Sequence, residues 1–466
     1  MAQSSGIITP GSLNLAVNPI THKPGDMIRA INIESDVYGA KKKRPGYTTY
    51  LGTMPNGSAV TGLMNWTQNN GTQFWNYAYA GGNLYYSTQG TGAWTICGGG
   101  TLNAGGTLTG AVLEDTLIIG DSLAATRHTT NGTSFTNTTS APIAVSFTEF
   151  QQRIYAAGTA STLFWSNVGT ATDWTNDSSS VLIPGAGKLA VTLKTDNRLI
   201  VTKNSGIMFR YDGFGLIDLA TSLGPTSLQS IVEVEDYRLY LNRLGVFGYS
   251  GGKPELVSNA VEKQIYNDAS EGIIGTTFDN AAGVAYKYEY HLSIGTVTDD
   301  LTDETISDAI LVYDYQSNEW WNNRFADRPT TWLSYKDASG DQQLIFGAGN
   351  QCYTYGGTTT NDNGATIEVV MEGIIHLNTL LDKKWNWLRM MFNPGCTAHI
   401  QIAITNTFTK GAKNWIDLGQ ALNGVVEYRF LEGSRGKLLF WKITEASQNA
   451  RTHFYGFEYS AEVIDK

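Results

Sequence analysis

Short runs of apolar and aromatic residues alternate with glycine-rich turns through most of this chain, and this pattern predicts β-hairpins. One apolar run covers residues 74–80, turns at Gly81 and Gly82, and continues at residues 84–86. Glycine favours such turns because it adopts the positive φ angles that tight hairpins need. No long amphipathic helical pattern interrupts these runs, so the pattern indicates an all-β fold.

Similar units recur about every 35–50 residues, which is the spacing of propeller blades. The other candidate units cover residues 113–120, 153–166, 198–211, 238–249, 288–321 and 343–357. A single four-stranded unit has too little apolar surface to be stable alone, whereas radial stacking buries both of its faces. We therefore predict a β-propeller of about seven blades, and prefer it to a pair of β-sandwiches.

The predicted propeller covers residues 56–360, and a differently patterned segment lies on each side of it. Residues 1–55 contain Pro10, Pro19, Pro24 and Pro45, too many breakers for a compact fold, and predict an extended N-terminal arm. Residues 361–466 contain longer alternating runs that predict a separate β-sandwich or platform domain.

Composition supports the all-β assignment, and charge restricts the function. The 466 residues include 51 glycines, and only 16% are charged. Residues 1–50 hold six Lys/Arg and three Asp/Glu, residues 51–360 hold 15 and 28, and the remainder holds 11 of each. Phosphate neutralisation supplies most of the affinity of nucleic-acid binders. An acidic middle region therefore argues against sequence-specific DNA binding.

The sequence contains no feature typical of export or membrane insertion. We find neither a signal peptide nor an apolar run of about 18 residues, and expect a protein made in the cytoplasm with no membrane-spanning segment. Cys97, Cys352 and Cys396 are widely spaced, and we expect them to be reduced core residues.

The one dense basic run is Lys41-Lys42-Lys43-Arg44, followed by Pro45. Four adjacent cations can contact DNA phosphates, the acidic face of a neighbouring subunit or other parts of the chain. We predict that Lys41, Lys42, Lys43, Arg44 and Pro45 form a basic docking strap, with packing and surface roles as alternatives.

A short acidic cluster contains Glu233, Glu235 and Asp236. Glu233 and Glu235 share one face of a strand, so a carboxylate pair for glycoside hydrolysis is one hypothesis. A solvated face is the more ordinary interpretation of these acids. We predict that they contribute to the negative potential of a channel rather than to catalysis.

Other motifs have structural interpretations. Residues 166–174 are similar to the Asp-box of sialidase-like propellers, but Val168 stands at its aspartate position, and such boxes stabilise hairpins. The polar stretch 299–308 lacks the EF-hand glycine, and the tryptophan-rich stretches at 320–321 and 385–387 predict core packing more than sugar stacking. The six histidines are scattered, and neither a phosphate-binding loop nor a GxSxG nucleophile is present. We expect no cofactor, no metal and no enzymatic activity.

The N-terminal segment closely resembles the opening of podophage tail nozzle proteins, also described as tail tubular or packaged-DNA-stabilisation proteins. The resemblance rests on residues 11–15, on Asn18-Pro19 and Pro24-Gly25-Asp26, on residues 30–33, and on Gly39 to Tyr47. Similar support comes from residues 153–158, 164–169, 173–175 and 245–247, in the same order along the chain.

This resemblance implies a virion tail protein that forms a hexameric ring beneath the portal and adaptor proteins. The ring would serve as conduit and seal for DNA during ejection, without sequence-specific binding, and tail fibres are further candidate partners. The alternatives are a propeller that binds receptors or anchors fibres, and a propeller glycosidase.

Overall fold

The computed structural model confirms an all-β chain. It describes residues 2–15, 22–36, 38–68, 71, 73–88, 90–175, 179–195, 198–213, 215–220, 222–234, 237–265, 281–299, 304–376, 381–407, 413–432, 434–448 and 452–464. Helical structure in this part of the chain is limited to the short α1 (Glu262–Ile265) and the 3-10 turns Leu228–Ser230 and Asn259–Val261.

Five strands lie in the N-terminal segment, and they are distributed over both halves of the molecule. They are β1 (Ala2–Ile8), β2 (Met27–Ile31), β3 (Ile33–Ser35), β4 (Lys41–Lys43) and β5 (Tyr47–Thr53). The segment is therefore extended, and its strands are built into the sheets of both halves.

Five separate four-stranded antiparallel sheets follow, each built from strands that are consecutive in the chain. Their strands are β6 (Val60–Thr67), β7 (Phe74–Ala80), β8 (Asn83–Thr88) and β9 (Thr95–Thr101); β10 (Thr109–Leu113), β11 (Thr116–Gly120), β12 (Arg127–Thr129) and β13 (Thr136–Asn137); β14 (Ala144–Phe150), β15 (Arg153–Gly158), β16 (Thr162–Trp165) and β17 (Ser179–Leu182); β18 (Leu189–Thr195), β19 (Arg198–Lys203), β20 (Met208–Tyr211) and β21 (Leu216–Ala220); β22 (Val232–Val234), β23 (Tyr237–Asn242), β24 (Gly245–Tyr249) and β25 (Glu255–Leu256).

Local sequence explains these sheets. Ala80 pairs with Asn83 across the turn Gly81-Gly82, whose φ angles of 55° and 80° are those of a type I′ hairpin. Neighbouring sheets enclose hydrophobic clusters between them, such as the one that joins Trp75 and Tyr77 to Leu117 and Ile119. These five sheets are thus consecutive blades of a propeller, with the first strand of each blade nearest the axis.

A four-stranded meander comes next and is part of a larger sheet. Its strands are β26 (Ala282–Tyr286), β27 (Glu289–Asp299), β28 (Glu304–Asp314) and β29 (Glu319–Arg324). The inner strand β26 contacts both β22 and the blade that follows it in the chain, while β29 continues through β2 into the C-terminal domain.

The sixth blade closes the ring with a strand from the N-terminal segment. Its sheet contains β30 (Thr331–Lys336), β31 (Gln342–Ala348), β32 (Gln351–Tyr355) and then β5, with β33 (Asn361–Asp362) and β34 (Ala365–Thr366) beyond. Tyr50, Tyr335 and Ile345 of this blade pack against Phe74 and Ala78 of the first.

Six blades have sheets of their own, so the prediction of about seven is wrong by one. The remaining candidate unit is the meander shared with the C-terminal domain.

The C-terminal strands complete a two-sheet platform. They are β35 (Val369–Ile375), β36 (Lys383–Phe392), β37 (His399–Thr405), β38 (Ile416–Gln420), β39 (Val425–Arg429), β40 (Arg435–Gly436), β41 (Leu438–Glu445) and β42 (His453–Val463). One sheet has nine strands in the order β26-β27-β28-β29-β2-β35-β41-β37-β38. The other joins β1, β3 and β4 to β36, β39, β40 and β42. The Trp441 ring lies 5.7 Å from those of both Phe454 and Phe457, so the two sheets pack face to face.

Candidate functional site

The basic run lies where the propeller meets the platform. Lys41 to Lys43 form β4, which pairs with β3 on one side and with β42 on the other. Because side chains alternate along a strand, Lys41 and Lys43 are directed inward and are buried, while Lys42 is only partly covered.

Each lysine has a partner in the same chain. The Lys41 Nζ lies 2.6 Å from the Glu319 Oε2 and also donates to the Ser35 hydroxyl. The Lys42 Nζ lies 2.9 Å from the Glu34 Oε1, and the Lys43 Nζ donates to the carbonyl oxygen of Ser447. These charges hold strands together within the chain.

Arg44 is completely buried, as are Lys41 and Lys43. Its guanidinium donates two hydrogen bonds to the Asp362 carboxylate, at 2.8 and 2.7 Å, and the side chains of Arg44 and Asp362 are 0% and 3% exposed. Further donors reach the Asn32 Oδ1 and the carbonyl oxygen of Arg324. A buried cation is stable only when it is paired and fully hydrogen-bonded, and Arg44 meets both conditions.

Pro45 is also buried, and its carbonyl oxygen accepts a bond of 2.9 Å from the Arg44 Nη1. The predicted strap is therefore an internal joint of the folded chain. The prediction of a docking surface is wrong for Lys41, Lys43, Arg44 and Pro45, because their side chains are buried. Arg44 binds a carboxylate that lies more than 300 positions away in the sequence.

The predicted lumen acids are only partly described. Glu233 lies in β22, the inner strand of the fifth blade; its side chain is 70% exposed, and its Oε1 lies 2.6 Å from the Arg238 Nη2. Glu235 and Asp236 lie outside the described residues. Glu233 is thus a solvated acid next to a cation, and its role in a channel stays a prediction.

The propeller axis opens into a cavity of about 610 Å³ where the inner strands begin. Its lining includes Thr61, Thr107, Thr226, Gln229 and Thr330. Among the described residues that line it, Arg328 is the one charged side chain, and its Nε lies 3.6 Å from the Asp308 Oδ1. This axial cavity is therefore polar without being acidic.

A second cavity of about 610 Å³, the tyrosine groove, lies between the fifth blade and the shared meander. Tyr237, Tyr313 and Tyr315 line it together with Glu255 and Ser250. Desolvation by burial raises the pKa of Tyr313, so its phenol stays protonated at neutral pH. The groove thus combines aromatic rings with hydroxyl groups and a carboxylate, and sequence reasoning missed it because its residues come from separate blades.

The remaining candidates act structurally in the described chain. The Ser166 hydroxyl accepts a bond from the Ile154 amide, and the Trp174 Nε1 donates to the Ala171 carbonyl, so the Asp-box-like stretch braces a hairpin. Trp320, Trp321 and Trp385 are buried core residues. Burial raises the pKa of both Cys97 and Cys352 to about 12, which keeps these enclosed thiols unreactive.

Within the part of the chain that the structure describes, His, Cys, Asp and Glu side chains form no cluster of three or more suited to a metal ion. The polar stretch 299–308 falls partly outside it, since residues 300–303 are not described. No helix in the described ranges is long and apolar enough to cross a bilayer.

Comparisons with known proteins show no family. No family model matches the chain, and no curated protein matches it. Among solved structures, the chain is similar to the computationally designed Ika8 protein, with 11% identity and a TM-score of 0.39 over 66% of this chain and 99% of that one. It is also similar to YCF48 from Cyanidioschyzon merolae, with 10% identity and a TM-score of 0.43 over 66% and 98%. The assignment as a propeller rests on the sheet topology of the chain itself.

Proposed function

We propose that this propeller protein is a structural component of a virion tail, and that several copies form a nozzle ring below the portal and adaptor. The proposal is carried by one observation: the propeller and the two-sheet platform are joined through a continuous nine-stranded sheet. The resemblance of the N-terminal segment to tail nozzle proteins implies this combination of domains. A shared sheet and a buried ion pair also suit a protein that bears mechanical load.

The axial cavity of one propeller is polar without being acidic, so the acidic residues described in the middle region do not line it. The conduit in this proposal is the space enclosed by a ring of copies, and the acids of residues 51–360 would act from the outer surfaces of the propellers that face it.

Electron microscopy of the purified protein and of particles that carry a tagged copy tests the proposal. We expect rings with a central opening wider than a DNA duplex, and tagged density on the tail axis below the portal. Density at the periphery of the tail would contradict the nozzle and favour a receptor-binding or fibre-anchoring protein. Turnover of a sialyl or polysaccharide substrate would instead favour a propeller glycosidase.

A second function, glycan binding by a receptor-binding tail protein, is favoured by the tyrosine groove. Aromatic faces stack on the apolar faces of sugars, and a carboxylate accepts hydrogen bonds from sugar hydroxyls. Glycan-array binding that is lost in Tyr237→Ala and retained in Tyr455→Ala would support this function. Tyr455 is a suitable control because it is an exposed tyrosine of the platform strand β42 and does not line the groove.

A further inference from the structure

The seven-stranded platform sheet has an open strand at each of two edges. β1 pairs with β42 from Ala2 opposite Val463 to Ile8 opposite Phe457, and β39 pairs with β36. Among the strands that the structure describes, none pairs with the other side of β1 or with the other side of β39. Both edges therefore present backbone N–H and C=O groups to a further strand.

β1 lacks the features that normally protect such an edge. Proteins discourage edge pairing with lysine, proline, bulges or very short strands. β1 is seven residues long, its residues AQSSGII carry no charge and no proline, and its register with β42 is continuous. The Ile7 side chain is 72% exposed. An unprotected edge of this length is typical of a strand that pairs with another chain.

Strand directions make the two open edges compatible with each other. β1 runs antiparallel to β42, β42 to β36 and β36 to β39, so β1 and β39 run in opposite directions. The β1 strand of a second copy, placed beside β39 in the same orientation of the sheet, continues the antiparallel order. Ile7, Glu458, Arg389 and Glu427 occupy one cross-strand row, which places Ile7 and Glu427 at the two ends of that row.

We propose that copies of this chain assemble by pairing β1 of one copy with β39 of the next. The two edges differ, so the contact is heterologous, and a heterologous contact repeats around a ring until the rotation closes. This inference names the subunit contact of the proposed nozzle and rests on that function for its biological purpose. The partner it requires is a second copy, because one chain supplies both complementary edges.

Disulfide trapping between two single-cysteine variants tests the pairing. Ile7→Cys is mixed in turn with Val425→Cys, Glu427→Cys or Arg429→Cys, which scans the register along β39. Paired strands bring Cα atoms to about 4.5–5.5 Å, within the range of a disulfide. We expect at least one mixture to lose its monomer band and gain a covalent dimer under mild oxidation, whereas each variant alone stays monomeric on the denaturing gel. The native cysteines are buried and do not compete.

Leu182→Cys is the matched control for Ile7→Cys. Leu182 lies on the outer strand of a propeller blade and is 71% exposed, so it reports random collision. Ile7→Lys should also shift the native protein toward monomer in light scattering, and Leu182→Lys should leave its size unchanged. A native protein that is monomeric, cross-linking of Ile7→Cys with itself, or an oligomer that none of the three mixtures traps would overturn the proposal.

These outcomes separate the subunit contact from the function. Rings on the tail axis that form without β1 or β39 would contradict the proposed subunit contact but not the proposed nozzle function. Trapped β1–β39 dimers in a protein that is absent from the tail axis would reject the nozzle and leave the contact intact.

Discussion

At the scale of single residues, the ion pair between Arg44 and Asp362 should dominate the stability of the joint. Asp362→Ala leaves a buried guanidinium without its carboxylate, and losses of about 3–5 kcal/mol are typical when one partner of a buried pair is removed. We expect a loss of this size in the free energy of unfolding, measured by urea denaturation followed by fluorescence.

Glu149→Ala is the control for this variant. It breaks the partly exposed ion pair between Glu149 and Lys194, whose charged atoms lie 2.7 Å apart, and exposed pairs contribute about 1 kcal/mol or less. Equal losses in the two variants would show that Arg44 is not held by Asp362.

Lys383 should give the protein an alkaline pH dependence. Desolvation by burial lowers the pKa of Lys383 from 10.5 to about 8, although its Nζ donates to the carbonyl oxygens of Leu381 and Lys437. Between these values the unfolded chain binds more protons than the folded one, so this group makes stability rise with pH in that window. We expect the melting temperature of Lys383→Met, taken relative to that of the native protein at the same pH, to fall from pH 8 to 10.

Lys384→Met on the same strand provides the comparison, since Lys384 is partly exposed. Each variant is compared with the native protein at the same pH, so that tyrosine ionisation cancels. A difference from the native protein that stays constant with pH would contradict a lowered pKa of Lys383.

At the scale of elements, the sixth blade depends on a close approach at Gly46. A Cβ atom at Gly46 would lie 1.8 Å from the backbone oxygen of Asn361, so Gly46→Ala must push β5 away from β33. Overpacking typically costs about 1–3 kcal/mol. We expect a lower melting temperature and faster proteolysis within residues 40–60.

Gly252→Ala is the matched substitution, because a Cβ atom at Gly252 meets no atom within 4 Å. If the two alanine variants were equally stable, closure of the ring by β5 would not depend on this contact.

The hairpins of the blades were predictable from sequence, whereas the joint was not. The runs predicted at 198–211 and 238–249 match β19–β20 and β23–β24, because their alternation and glycine turns act over a few residues. The sequence predicts a docking strap at Lys41 and Arg44, whereas both side chains are buried within the chain. Their partners Glu319 and Asp362 lie about 300 positions away, and no local pattern records such a pairing.

At the scale of the whole molecule, charge predicts how the protein treats DNA. Residues 51–360 hold 28 acidic against 15 basic side chains, and the cations of β4 and Arg44 are already paired. We expect no retardation of duplex DNA in a gel-shift assay at about 0.15 M salt, where weak phosphate contacts are screened. A basic DNA-binding protein serves as the positive control, and micromolar binding by this chain would contradict a protein surface that repels DNA.

The pairing of β1 with β42 also determines when the platform can fold during synthesis. It joins residues that are far apart in the sequence, such as Ala2 and Val463, so β1 is synthesised long before its partner exists. At roughly 5–20 residues per second, that interval is on the order of 20–90 s. The blades can fold one after another during this interval, while β1 remains unpaired at both of its edges and is prone to aggregate. Synthesis of β42, rather than the folding of any blade, therefore sets the earliest moment at which this ladder can form.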